Sequence, residues 1–307
     1  MRFLHRNIYF LSALIILFTG ACKYKKPDRK NVSFKNIIGI DYTEVKRRLS
    51  TGRSFDNRGY EVGPDPEWRI TFISKDSTRI FSPDSNRFLT FPLMLDHDSI
   101  FNTGNTWLKA KIVTKDSLLF QVIRVESNII YWMHSNVYMK FYANDYIKNH
   151  HLDITKLQGK DRNDTLFVKQ RAALCNAHPD SVFAARNPVQ MKSKSPFVTV
   201  EKEVVERTRE NHWDTSDSYM EPKYDITIHH AYQDFSYSFT AFVDVKGNIT
   251  YEKSLIYISD EFKASTERTI KGIIDGYIKA YITVTPGSTL GIVHSSRITI
   301  NVNGFKK

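Results

Sequence analysis

The chain has 307 residues, 41% of them hydrophobic and 13% aromatic, with only two cysteines, which excludes both a disordered chain and a disulfide-stapled one. The formal charge of +11 is uneven: residues 196–307 carry 13 Lys+Arg against 15 Asp+Glu, while residues 22–195 carry 29 against 18. The basic residues are not interleaved with aromatics in a recognised nucleic-acid module, so no nucleic-acid partner is expected.

The chain begins with Arg2 and Arg6, an apolar run through Leu14-Ile15-Ile16-Leu17-Phe18, and then Thr19-Gly20-Ala21-Cys22. A charged start, an apolar stretch and small residues make a secretory signal. A transmembrane helix needs roughly 20 apolar residues, and His5, Arg6 and Asn7 leave too few. The final small-small-Cys resembles the lipobox of bacterial lipoproteins, with Thr19 where that motif usually has Leu. The resemblance implies removal of residues 1–21, acylation of Cys22 and a membrane held through that anchor. Lys23, rather than Asp, follows the cysteine, as in lipoproteins sorted to the outer membrane. The expected location is therefore the outer membrane facing the periplasm, with the cell surface also open. Residues 22–36 read as a lipid-anchored basic tether; Lys23, Lys25, Lys26, Arg29, Lys30 and Lys35 would be drawn to anionic head groups. With Cys22 acylated, Cys175 is the one thiol left. It reads as a small buried apolar residue, since the neighbouring His178 alone does not make it a nucleophile.

A β-rich domain is expected over 37–195. Asp41, Glu44 and Gly52 carry the start and stop signals of a short helix. Residues 53–66 read as loop. From Trp68 to Tyr142 short apolar runs alternate with turns, and one element recurs: Lys75-Asp76-Ser77, Asp96-His97-Asp98-Ser99 and Lys115-Asp116-Ser117, each soon followed by an aromatic, Phe81, Phe101 or Phe120. Asp and Ser favour turns, and strands at this spacing describe an antiparallel meander, barrel-like or curved. Asp164-Thr165-Leu166-Phe167 and Asp180-Ser181-Val182-Phe183 read as its continuation. The pattern is distantly similar to lipocalin-like lipoproteins, which implies an alternative function as carrier of an apolar ligand. Residues 196–221, with the charged run Glu201–Glu210, read as a linker.

The last segment, 222–307, has the clearest pattern. Phe239, Ala241, Val243 and Val245 alternate with polar residues, Phe242 being the exception. Lys246-Gly247-Asn248 makes a turn, Ile249–Ile258 returns, and Phe262, Ile270, Ile273, Ile274, Tyr277, Ile278 and Tyr281 form one stripe of a helix. Ile298, Ile300 and Val302 alternate with Thr299, Asn301 and Asn303 in a final strand. Strand, Gly turn, strand, amphipathic helix, Pro286-Gly287, Gly291 and final strand, in this order, resemble the TonB C-terminal domain. That resemblance implies a helix on a three-stranded antiparallel sheet that binds another envelope protein through an exposed edge. Carried over, the candidate edge is Arg297, Ile298, Thr299, Ile300, Asn301 and Val302. The chain departs from the family: Pro222-Lys223-Tyr224 stands where its opening Tyr-Pro would be, and there is no long Pro-rich spacer. An energy-transducing role is therefore not implied.

The whole reads as α+β. Phosphate-binding Gly loops, a Gly-x-Ser-x-Gly elbow and a His-Glu-x-x-His motif do not occur. The adjacent pairs His150-His151 and His229-His230 make poor metal sites on extended chain. His294-Ser295-Ser296 has no carboxylate fixed nearby in sequence. No catalytic residue, cofactor or metal is expected, and the chain reads as a non-catalytic envelope lipoprotein.

Overall fold

The computed structural model describes residues 32–306, apart from 63–67, 84, 128, 131–134, 207 and 209–214. Cys22, the signal and most of the tether lie outside the described residues, as does part of the run Glu201–Glu210. The protein is α+β, with a large, nearly closed antiparallel sheet in its N-terminal half.

That sheet contains β1 (Asp41–Leu49), β2 (Arg69–Phe72), β3 (Ser77–Ser82), β4 (Arg87–Pro92), β5 (Met94–Leu95), β6 (Ile100–Thr103), β7 (Thr106–Val113) and β8 (Ser117–Ile123). A small hairpin, β9 (Val125–Glu126) and β10 (Ile129–Ile130), leads to β11 (Val137–Ala143). The order is β4-β3-β2-β1-β11-β8-β7-β6-β5. The three Asp/Ser repeats are the β2–β3, β5–β6 and β7–β8 turns, all at one end; backbone bonds such as Ile73 N to Ser77 O (3.1 Å) and Thr114 N to Ser117 O (3.0 Å) close them. Gly104 and Asn105, with φ of 56° and 59°, form the two-residue β6–β7 turn at the other end, a conformation that glycine and asparagine enter most readily.

Side chains alternate across such strands, so one face of the curved sheet turns inward. Inside, the rings of Phe34 and Phe72 stack at 4.3 Å, and Phe101, Phe120 and Phe141 continue the series at 5.0–5.5 Å. Each such pair adds about 0.5–1.5 kcal/mol beyond the area it buries. The Tyr42 hydroxyl donates to the Thr114 carbonyl (2.8 Å) and the Lys115 carbonyl (3.2 Å), tying β1 to the β7–β8 turn. The aromatic after each repeat does not always face inward. Phe101 and Phe120 are buried, whereas Phe81 sits on the outer face with the Arg69 guanidinium 3.6 Å from its ring centre.

Two expectations are corrected here. Asp41–Leu49 is a strand, not a helix. Its backbone is paired on both sides, by β2 and β11. The Glu44 carboxylate, which resembled part of a capping box, instead takes both Arg47 N–H groups (2.8 and 2.7 Å) and the Trp68 N–H (3.2 Å). Residue 45 is the extra one in a bulge opposite β11. Residues 164–167 do not continue the sheet. After β11 come three helices, α1 (Asn144–Asn149), α2 (Ile154–Gln158) and α3 (Arg162–Ala177), and residues 179–181 are a single 3-10 turn. Asp161 and Asp164 form a reciprocal cap at the start of α3, and the apolar Phe167, Val168, Ala172 and Cys175 make its buried side. The Asp/Ser chemistry that makes a hairpin turn also starts a helix.

The second sheet comprises β13 (Val198–Lys202), β14 (Lys223–His229), β15 (Phe235–Val243), β16 (Ile249–Ser254) and β20 (Ser296–Phe305), in the order β13-β14-β20-β15-β16. Before β13 comes β12 (Gln190–Ser193), and α4 (Asp217–Met220) precedes β14. One long helix crosses the sheet: α5 (Asp260–Ile273), a π-helical turn at Ile274–Ile278, and a last helical turn, α6 (Lys279–Tyr281). It leads to β17 (Ile282–Thr285), which pairs with β12, and to the hairpin β18 (Ser288–Thr289) and β19 (Ile292–Val293). The linker 196–221 is thus corrected: its first residues are an edge strand of the C-terminal sheet. The tether is corrected too, since Phe34 is buried inside the first sheet.

A third apolar cluster, Phe55, Phe167, Val168, Cys175 and Phe183, has Ile292 of β19 packed against it. Two buried acids frame it. Asp164 accepts from the Ser54 N–H (2.7 Å) and the Asp161 N–H (3.2 Å) and faces Arg48 at 3.4 Å. Glu61 is held by Lys160 and Arg186, and its N–H donates to the Tyr219 hydroxyl (3.0 Å). Removing one partner of a buried ion pair strands the other charge, at about 3–5 kcal/mol. Asp164→Ala should therefore lower the thermal midpoint by roughly 10 °C, whereas Asp260→Ala, at the solvent end of α5, should leave it unchanged in the same melting experiment.

Candidate partner-binding surface

The C-terminal sheet has two unlike faces. On one, Phe239, Ala241 and Val243 of β15, Ile298, Ile300 and Val302 of β20, and Tyr224, Ile226 and Ile228 of β14 pack against Ile270, Ile273, Ile274 and Ile278 of the helix. On the other, side chains form a polar ladder: Ser238 Oγ donates to Asn301 Oδ1 (2.7 Å) and Asn301 Nδ2 to Asp225 Oδ1 (2.8 Å). Arg297 of β20 reaches over β15 to Glu252 of β16 with two bonds of 2.8 and 2.7 Å. Phe242, the residue that broke the alternation, lies beneath this pair, its ring 5.4 Å from the guanidinium.

The elements expected between Phe239 and Val302 are present, but their order in the sheet overturns the expected edge. Arg297, Ile298, Thr299, Ile300, Asn301 and Val302 lie in β20, which is interior. On one side it pairs antiparallel with β15 from Ser296 to Gly304, and on the other parallel with β14 from Thr299 to Phe305. The Thr299 N–H also donates to the Pro222 carbonyl at 2.9 Å. A strand with both ladders filled has no main chain to offer. The strand that fills the outer side, β14, follows residues read as linker, so nothing in the alternation of β20 could have shown that a parallel neighbour would cover it.

The free edges are β13 and β16. β12 packs beside β13. β16 pairs with β15 alone. A bulge at Thr240/Ala241 shifts the register and twists the outer strand, which leaves a short free edge. The chain then runs into an exposed apolar ledge. Leu255 and Ile256 are each 49% exposed, Tyr257 is 94% exposed, and Phe262 on the first turns of α5 is 58% exposed. Scattered apolar residues on a surface are ordinary, whereas several side by side beside a free strand edge mark a contact surface. The turn that sets this edge needs Gly247: its φ is 84°, and a Cβ there would lie 2.5 Å from the Val284 carbonyl oxygen.

Cys175, His294 and His150, the groups weighed for chemistry, each have defined partners. Cys175 is fully buried, its Sγ 3.3 Å from the Ala172 carbonyl, and burial pushes the thiol up. Thiolate nucleophiles need the reverse. The His294 ring stacks on Phe183 at 3.9 Å. Its Nδ1 lies 3.0 Å from the Ser295 carbonyl, which can only accept, so the proton sits on Nδ1 and Nε2 accepts from the Thr289 hydroxyl at 3.0 Å. No group of three or more metal-ligating side chains occurs among the described residues. The His150 ring stacks on Tyr146 at 4.0 Å.

No known protein family, curated protein or solved structure matches this chain.

His294 generates a pH dependence. Burial lowers its pKa below the ordinary 6.5. Below pH 6.5 the unfolded chain takes up a proton that the folded chain refuses, so acidification lowers stability until the pH passes the folded value. In urea unfolding at pH 7.5 and 5.5, His294→Gln should lose less stability on acidification than the parent.

Proposed function

We propose that this protein is a non-catalytic, lipid-anchored envelope protein that binds another envelope protein through its C-terminal sheet. The observation that carries the reading is the free outer edge of β16 beside the exposed ledge of Leu255, Ile256, Tyr257 and Phe262. The occupant it fits is an extended segment of the partner. Such a segment would add a short strand to β16 through main-chain bonds and set apolar side chains on Tyr257 and Phe262. Because the bulge shortens the free edge, the aromatic anchors would supply much of the affinity, as buried aromatic residues do in other interfaces. The lipobox-like Thr19-Gly20-Ala21-Cys22 and the TonB-like order of elements support the envelope setting and the mode of recognition. The site proposed here is β16, not the final strand.

A carrier role would need room inside the N-terminal sheet. The rings of Phe34, Phe72, Phe101, Phe120 and Phe141 occupy that interior and touch one another, so partner binding is the reading the geometry favours.

Two experiments test the proposal. Cells fed labelled palmitate should label the protein, and Cys22→Ser should abolish the label and release the chain from the membrane fraction; a labelled Cys22→Ser variant removes the anchor. Separately, a photo-crosslinking residue at position 257 or 250 should yield one discrete protein adduct in intact cells, whereas the same residue at Lys169 on α3 should yield none. Tyr257→Asp should abolish the adduct formed from position 250 without moving the melting temperature. An adduct insensitive to Tyr257→Asp would place the contact elsewhere.

A further inference from the structure

A second surface is built on the outer face of the N-terminal sheet, opposite the phenylalanine interior. Here α1 and α2 pack over β1, and Gln158 Nε2 donates to the Glu44 carbonyl at 2.9 Å to hold α2 in place. Between these helices and strands β1–β3 lies a cleft of about 670 Å³, bordered by Arg69, Phe81, Ile147, Lys148 and Ile154 among others. That volume is within the range of small-molecule sites, about 300–1,000 Å³.

The lining has two chemistries. Phe81, Pro83, Ile147 and Ile154 give it apolar walls. Its cations are Arg69 and Lys148, and no carboxylate lines it among the described residues. Arg69 is held face-on by the Phe81 ring at 3.6 Å, with Phe88 at 5.3 Å. Stacking uses the flat face of a guanidinium and leaves its N–H donors free in the plane, where they match a phosphate or carboxylate. Asn144 receives a bond from the Thr43 hydroxyl on Oδ1 (2.8 Å), which leaves its two Nδ2 protons for another acceptor. An oriented guanidinium, an amide and an ammonium, set beside apolar walls, complement a molecule with one anionic end and one apolar end.

We propose that this cleft binds an amphipathic anion, a single alkyl or acyl chain ended by a phosphate-type head, with the head on Arg69, Lys148 and Asn144 and the chain along Phe81, Ile147 and Ile154. The site is independent of the β16 edge and of the closed interior of the sheet. It places ligand binding on the outer face, in the basic half of the chain.

The test uses the intact chain in uncharged phosphatidylcholine nanodiscs, titrated calorimetrically with octyl phosphate, octanol and inorganic phosphate, each corrected with empty nanodiscs. Octyl phosphate should bind at one site per chain. Shortening it to butyl phosphate should weaken binding about two- to fourfold per CH₂ removed. Arg69→Gln should weaken it about tenfold or more, while Arg87→Gln on β4, outside the cleft, should leave it unchanged, and both variants should melt with the parent. Inorganic phosphate or octanol binding as tightly as octyl phosphate would overturn the proposal, because one half of the site would then be idle. So would the absence of saturable binding, or binding indifferent to Arg69→Gln.

Discussion

The buried carboxylate of Asp164 ties helix α3 to the first strand and to the loop that follows it. It caps α3, takes the Ser54 N–H and faces Arg48 of β1. Each contact comes from a different stretch of chain, so one side chain fixes a helix, a loop and a strand at once. The apolar cluster around Phe55, Phe167 and Cys175 can close only when α3 is set in this way, and the Glu61 cluster with Lys160, Arg186 and Tyr219 closes the other side. Charges in such places rarely add net stability over apolar residues of the same size. What they do here is define which surfaces meet, because any other arrangement leaves a buried charge without its partner.

The two sheets solve the problem of exposed strand edges differently. The N-terminal sheet curls until its first and last strands come near each other, and its aromatic rings fill the space enclosed. The C-terminal sheet stays open. Its long strand β20 is covered on both sides, a helix covers one face, and a polar ladder of Ser238, Asn301, Asp225, Arg297 and Glu252 covers the other. Of its two end strands, β16 is short, bulged and flanked by apolar side chains. An edge with those properties is unsuited to indiscriminate aggregation and suited to one partner that brings both a strand and apolar contacts. The function proposed for this protein follows from that edge.

Much of this was legible in the chain. Alternation from Trp68 to Tyr142 gave the meander, and Asp/Ser repeats marked three of its turns, because their side chains close turns locally. The stripe from Phe262 to Tyr281 marked the long helix for the same local reason. Where the sequence misled, a local signal had two uses. Asp41 and Glu44 had the spacing of a helix cap, yet Glu44 serves Arg47 and the Trp68 N–H, and strand pairing on both sides claims the backbone. Asp164 fitted the turn repeat, yet it caps α3. The candidate edge failed for a different reason. The alternation of Ile298, Ile300 and Val302 says that a strand has a buried face; it says nothing about what lies beside it.

The sequence by itself determined the order of most strands and helices and the faces they bury, because these depend on side-chain period and on short motifs. Only the tertiary structure decided which strand is an edge, where Phe81 points, and that Arg69, Asn144 and Lys148 share one cleft. Sheet order and the meeting of distant residues are set by long-range pairing and by buried polar contacts such as that of Asp164 with Ser54, 110 positions apart, and no local pattern encodes those.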